Sequence, residues 1–142
     1  MDKLFLSEVE NIIEKSSFTL KDEIRIDYLD DCVEITYPIL DHANDYIQVY
    51  LFKREDFIVL SDDGFIRNTG DLFEIEWTDE FEKNLLRNLG VDVVSFERDE
   101  LVLSCTDEEA ANKLFLYVQT LQKADLFLSV IRGQKGRSLW KN

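Results

Sequence analysis

The chain reads as a single α+β domain: a mainly antiparallel sheet of five to seven strands with three helices, the last of them long. Three observations predict it. Several short stretches alternate apolar with polar residues and are joined by tight turns, as antiparallel strands require. Three other stretches, at the start, middle and end, carry apolar residues at helical spacing. The chain has 142 residues, 45% of them apolar, with ten Phe, five Tyr and two Trp, which supports one core but hardly two. The domain is expected over 1–131, followed by a basic tail over 132–142.

Residues 3–15 are predicted as an amphipathic helix, because Phe5, Val9, Ile12 and Ile13 fall on one face. Ser7 with Glu10 matches a capping box, which would start that helix about one turn late. Four strands come next. In 23–29, Ile24, Ile26 and Tyr28 alternate with Arg25 and Asp27; in 32–37, Val33, Ile35 and Tyr37 alternate with Glu34 and Thr36. In 46–52, Ile47, Val49 and Leu51 point one way and Tyr46, Gln48, Tyr50 and Phe52 the other, and 57–60 is apolar on both faces. Asp30-Asp31 suits the first turn, and the charged run 53–56 joins the third and fourth strands.

The sharpest local signal is Asp63-Gly64 between two β-rich runs. It predicts a type I′ hairpin with positive φ at Gly64 and a return strand through Phe65 and Ile66. Residues 79–89 read as a helix capped by Asp79 with Glu82 and stopped by Gly90, with Phe81, Leu85, Leu86 and Leu89 on its apolar face. Residues 91–96 and 101–105 form a hairpin around Arg98-Asp99. Thr106 with Glu109 then makes a capping box for a helix to about Ile131, with Leu114, Phe115, Val118, Leu121 and Leu128 facing the core.

The 30 acidic and 16 basic side chains leave a net charge of −14. Since Arg132, Lys135, Arg137 and Lys141 are the only charged residues after Ile131, the body before them stands at −18. Its acids, Glu80, Asp107, Glu108 and Asp125 among them, are expected on the polar faces of strands and helices. Such a body repels nucleic acid and anionic lipid over about 8 Å and attracts basic protein surfaces. Direct nucleic-acid contact is expected only through the basic tail, where Gly133-Gln-Lys-Gly136 followed by Arg137 resembles a backbone-clamping loop. The uninterrupted apolar runs are short, so no membrane span is expected. Cys32 and Cys105, far apart in apolar stretches, read as reduced, buried thiols, and no signal peptide is evident at Met1-Asp2-Lys3, so a cytoplasmic location is expected.

Residues 37–47 join two predicted strands and hold the chain's one Pro and one His. Asp41, His42 and Asp45 there, together with Asp62 and Asp63, offer oxygen and nitrogen donors for a divalent metal if the sheet brings them together. The simpler reading is that Asp and Asn bond nearby backbone amides in turns. Phosphate-binding, dinucleotide, zinc-protease and Cys-x-x-Cys motifs are absent, no cofactor is implied, and a nuclease built on Asp45, Asp62 and Lys53 has no distinguishing spacing.

The run from Thr36 to Ile47, Val49-Tyr50-Leu51, Leu60-Ser61-Asp62-Asp63-Gly64, a Leu-rich helix and Gly90-Val91 together resemble a bacterial and prophage family known as domain of unknown function eighteen-twenty-eight. That family's pattern is Thr-Pro, an Asp, an Asn-Asp-Tyr-Ile block, an aromatic-aliphatic strand and Leu-(Ser/Thr)-Asp-Asp-Gly. Here Tyr37 separates Thr36 from Pro38. The resemblance covers about 23–131 and implies a prophage-linked origin but no established activity. The leading expectation is therefore a non-catalytic acidic protein that binds a basic surface through Asp41, Asp45, Asp62, Asp63, Glu80, Asp107 and Glu108. Its strongest form is a nucleic-acid mimic acting on a host defence protein. A metal-dependent hydrolase on the Asp-rich loops and a domain that self-associates into a homodimer through a sheet edge are the alternatives.

Overall fold

A computed structural model describes residues 3–15 and 23–140, and side chains within 7–15 and 23–134. Helix α1 (Lys3–Lys15) is followed by strands β1 (Arg25–Tyr28), β2 (Val33–Leu40), β3 (Tyr46–Arg54) and β4 (Phe57–Ser61). Helices α2 (Phe65–Leu72) and α3 (Asp79–Leu89), strands β5 (Val94–Glu97) and β6 (Glu100–Thr106), and helix α4 (Ala110–Trp140) complete the chain. The six strands form one antiparallel sheet in the order β1-β2-β3-β4-β6-β5. The architecture is α+β as expected, with four helices among the described residues rather than the three expected.

One face of the sheet carries Val33, Ile35, Val49, Leu51, Ile58, Leu60, Leu101 and Leu103, all fully buried. The helices cover that face: Val9 from α1, Ile66 from α2, Leu85 from α3 and Leu114, Leu121 and Leu128 from α4 join the same cluster. Burying a Leu or Ile side chain contributes about 1.5–3 kcal/mol, so this cluster holds the fold. The edge strands β1 and β5 have four residues each and carry Arg25, Asp27 and Glu97, so they offer little apolar edge for another chain. Cys32 and Cys105 are buried free thiols, as expected, and burial pushes both up to about 11.

Several local expectations are corrected. Gly64 has the predicted positive φ, +83°, but no hairpin forms there; it is the N-cap of α2, and Phe65 and Ile66 open a helix. Helix α3 is capped by Thr78, whose Oγ1 accepts the Phe81 N–H at 3.0 Å, so Asp79 is the first helical residue and not the cap. Gly90 ends α3 with φ +66°. Ser7 lies inside α1, which begins a turn before it, and the Phe5 side chain is outside the described residues.

Thr106 and Glu109 make the reciprocal bonds of a capping box, with Glu109 N–H reaching Thr106 Oγ1 at 3.3 Å and Thr106 N–H reaching Glu109 Oε1 at 3.1 Å, but they close the turn between β6, which ends at Thr106, and α4, which begins only at Ala110. These bonds to Thr106 hold the Glu109 carboxyl below its usual range. Helix α4 does not stop at Ile131. It has 31 residues, about 46 Å, and contains Gly133 and Gly136, so that segment is helix and not a clamping loop. By length and composition Ala110–Gln134 could cross a membrane despite its short apolar runs, and within it Leu114, Tyr117, Leu121, Ala124 and Leu128 are fully buried in the core.

Candidate functional site

The β2–β3 hairpin overhangs the sheet. β1 pairs with β2 only as far as Thr36, and β4 pairs with β3 only from Tyr50 onward, so among the described residues the outer ends of β2 and β3 have no strand paired on their outer sides. Pro38 sits in that stretch, where the β2–β3 register shifts between Thr36 and Leu40, an irregularity that suits a residue without an N–H. β4 leaves the sheet at Ser61 and the chain turns into α2. A cleft of about 660 Å³ lies between the overhanging hairpin, the turn after β4 and α2.

Asp41, Asp45, Asp62 and Asp63 all line this cleft, as does His42. The two Asp-rich blocks that carry the family likeness therefore meet in space. They do different work. Asp41 Oδ1 accepts the N–H groups of Ala43 and Asp45 at 2.8 and 3.1 Å, closing its own loop. Asp62 is 2% exposed. Its Oδ1 accepts Gly64 N–H at 2.9 Å and Leu101 N–H at 3.0 Å, and its Oδ2 accepts Ile66 N–H at 2.9 Å. One carboxylate thus caps α2 and ties it to β6. Burial outweighs these three bonds and pushes the Asp62 carboxyl up to about 6. Asp62 cannot serve as an exposed contact for a partner. Asp45 and Asp63 are the exposed carboxylates of the cleft.

The other expected residues lie elsewhere. Glu80 is exposed in the first turn of α3, and Glu108 is exposed just before α4. Asp107 holds Lys53 Nζ at 2.7 and 2.8 Å, an interaction that raises the Lys53 ammonium above its usual range. Lys53 also reaches Glu8 at 3.4 Å. It stands at the far end of β3 from Asp45, roughly 26 Å along the strand, so Asp45, Asp62 and Lys53 do not assemble as a nuclease centre. Among the described residues, no group of three or more His, Cys, Asp or Glu side chains is arranged to hold a metal ion.

Asp125 overturns an expectation about the polar surface. It is 7% exposed, not a solvated acid of α4. Its Oδ2 accepts the His42 backbone N–H at 2.9 Å, and its Oδ1 lies 2.7 Å from His42 Nδ1. The His42 ring also stacks on Phe65 (centroids 6.1 Å apart) and meets the edge of Phe73 at 4.9 Å. α4 thereby anchors the cleft loop from below. The signal was present in the sequence: Asp125 lies four residues after Leu121 and three before Leu128, on the buried stripe of α4. Gln48 and Tyr50 add a polar floor, with Gln48 Nε2 donating to Glu34 and Thr36 at 3.2 Å and Tyr50 donating to Gln48 at 3.3 Å. Burial and Glu34 push the Tyr50 hydroxyl up to about 12, so it remains a donor.

No curated protein and no solved structure matches the chain. A family does, over residues 37–123, a span that contains the cleft hairpin, the Asp62 turn, α2 and part of α4. The chain belongs to the family described as Domain of unknown function DUF1828.

Proposed function

We propose that this protein is a non-catalytic binding protein that docks a basic protein partner through its acidic surface, with the cleft as the point of contact. The observation that carries this reading is the convergence of two Asp-rich loops on one cleft, where Asp45 and Asp63 stay exposed while Asp41 and Asp62 hold the loops in shape. A body charge of −18 adds a long-range field that speeds encounter with a cationic groove and weakens with salt. In its strongest form the partner is a nucleic-acid-binding protein of a bacterial defence system, and this chain occupies the nucleic-acid groove in a prophage-linked setting.

Affinity capture from a bacterial lysate tests this, at low and high salt and with duplex DNA as competitor. A basic partner should be retained at low salt, released at high salt and displaced by DNA. The fourfold variant Asp45→Lys, Asp63→Lys, Glu80→Lys and Glu108→Lys should capture nothing at physiological salt. Retention of the partner by that variant would overturn the reading.

A further inference from the structure

We propose that Asp125 fixes His42 as a hydrogen-bond acceptor in the cleft, and that the cleft thereby takes the guanidinium of an arginine side chain carried by the partner. The proposal rests on the binding reading above and names the chemistry of its contact.

The Asp125 carboxylate faces two nitrogens of one residue: the His42 backbone N–H at Oδ2 and the ring Nδ1 at Oδ1. A carboxylate accepts, so in the neutral imidazole the proton sits on Nδ1. Nε2 is then left with its lone pair, and no described residue hydrogen-bonds to it. Buried carboxylates orient imidazoles this way at sites where the second ring nitrogen meets a ligand. Phe65 and Phe73 clamp the ring from two directions, so the orientation is set before any ligand arrives. Asp125 acts through His42 and is a positioning residue.

The surroundings select the ligand. Beside His42 the cleft offers the carboxylates of Asp45 and Asp63, which also accept only, and the rings of Tyr46 and Tyr50. Tyr46 is 58% exposed, which leaves a large aromatic surface open to a ligand. Arg25 also lines the cleft, with its Nε held by Asp27 at 3.0 Å, so a ligand that meets the acceptors of this set needs several N–H donors, a positive charge and a flat face. Guanidinium has five N–H donors in one plane and stacks on aromatic rings, whereas an ammonium is compact and strongly hydrated.

His42 is the chain's one histidine, so its imidazole nitrogens give a single resolved pair of 15N resonances. In the unmodified protein these should report the Nδ1–H tautomer. Titration with N-acetylarginine amide should move the Nε2 resonance saturably, with affinity about fivefold or more above that of N-acetyllysine amide. In Asp125→Asn the new amide donates to Nδ1, which moves the proton to Nε2 and turns the acceptor into a donor. That variant should report the Nε2–H tautomer and bind the arginine amide about tenfold more weakly. Glu97→Gln, exposed on β5 at the far edge of the sheet from the cleft, should bind as the parent does. An Nε2–H tautomer in the unmodified protein, or an Nε2 resonance unmoved by the arginine amide, overturns the proposal without any variant needing to fold. Equal binding by Asp125→Asn also overturns it. Salt-sensitive capture of a basic partner beside a silent His42 would sink this inference and leave the binding reading standing. A responsive His42 beside unimpaired capture by the fourfold variant would do the reverse.

Discussion

Two dipeptides in this chain, Asp63-Gly64 and Arg98-Asp99, carry the same local instruction and produce different structures. Both have positive φ at both residues, +52° and +83° in the first and +51° and +65° in the second. Arg98-Asp99 joins β5 to β6 in a two-residue hairpin, with Glu97 directly opposite Glu100. Asp63-Gly64, the better hairpin sequence by composition, ends a strand and starts a helix. The difference lies one residue upstream. Asp62 offers both carboxylate oxygens to the amides of Gly64 and Ile66, which satisfies donors that a new helix leaves unpaired. Downstream, Ile66, Thr69 and Gly70 are buried on one face of α2, a spacing no strand can use. The two turns also touch. Asp62 accepts the Leu101 N–H, and a Cβ on Gly64 would lie 3.7 Å from the Asp99 carbonyl oxygen. A two-residue turn signal thus sets the backbone twist, and tertiary partners decide whether a strand or a helix comes after it.

The most damaging way to break this comparison is Asp62→Ala. Three buried N–H groups on two elements lose their acceptor at about 1–3 kcal/mol each, partly offset by removal of a buried charge, so a net loss of about 4 kcal/mol is expected. Chemical denaturation measures it, and hydrogen exchange should show Gly64, Ile66 and Leu101 losing protection together. A loss under about 1 kcal/mol would mean that α2 forms without its side-chain cap.

The same carboxyl makes stability depend on pH. Its pKa rises from 3.8 to about 6 on folding. Below pH 3.8 it is protonated in both states and its contribution is fully present. As pH rises, the unfolded chain releases the proton first, so the contribution is lost between pH 3.8 and about 6, in total about 3 kcal/mol. Asp62→Asn cannot titrate. The stability difference between parent and Asp62→Asn should therefore move by about that amount in favour of the variant from pH 4 to pH 7. Movement in the opposite direction would mean that the three N–H bonds outweigh burial.

Much of the fold was legible because neighbours in sequence decide it. The alternation in β1–β3, the apolar run of β4, the Gly90 stop and the reciprocal Thr106–Glu109 bonds are local patterns, and each is present. What was not legible depends on distant partners. The turn after β4 needs Leu101, 39 residues away, to complete the bonding of Asp62. The cleft needs Asp125, 83 residues from His42, and an acid there reads as solvated unless its place on the Leu121–Leu128 stripe is weighed above its charge. The convergence of Asp41, Asp45, Asp62 and Asp63 was readable as an adjacency of strand ends, but the division between exposed and buried carboxylates was not.

A smaller perturbation separates backbone conformation from packing. Gly64→Ala and Gly90→Ala both place a Cβ on a left-handed backbone, at φ +83° and +66°. Each should cost about 1 kcal/mol from conformation alone. At Gly90 nothing lies within 4 Å of the new atom, whereas at Gly64 it meets Asn68 Nδ2 at 3.4 Å. Thermal melts should show Gly64→Ala no less destabilised than Gly90→Ala. A milder effect at Gly64 would show that the turn relaxes away from positive φ once its glycine is gone.

The gentlest test exchanges the turn sequences. Arg98 and Asp99 occupy a left-handed backbone that Asn and Gly adopt with less strain, so Arg98→Asn with Asp99→Gly should stabilise the β5–β6 hairpin by about 0.5 kcal/mol. Asp63→Asn installs the same Asn-Gly pair after β4. If dipeptide chemistry alone selected the hairpin, that change would favour a return strand over α2. With Asp62 still holding Gly64 and Ile66, it should leave the helix intact and stability within about 0.5 kcal/mol of the parent. Secondary chemical shifts decide the matter: helical values over Phe65–Leu72 in Asp63→Asn keep the upstream carboxylate as the deciding group, and extended values there would return that role to the turn.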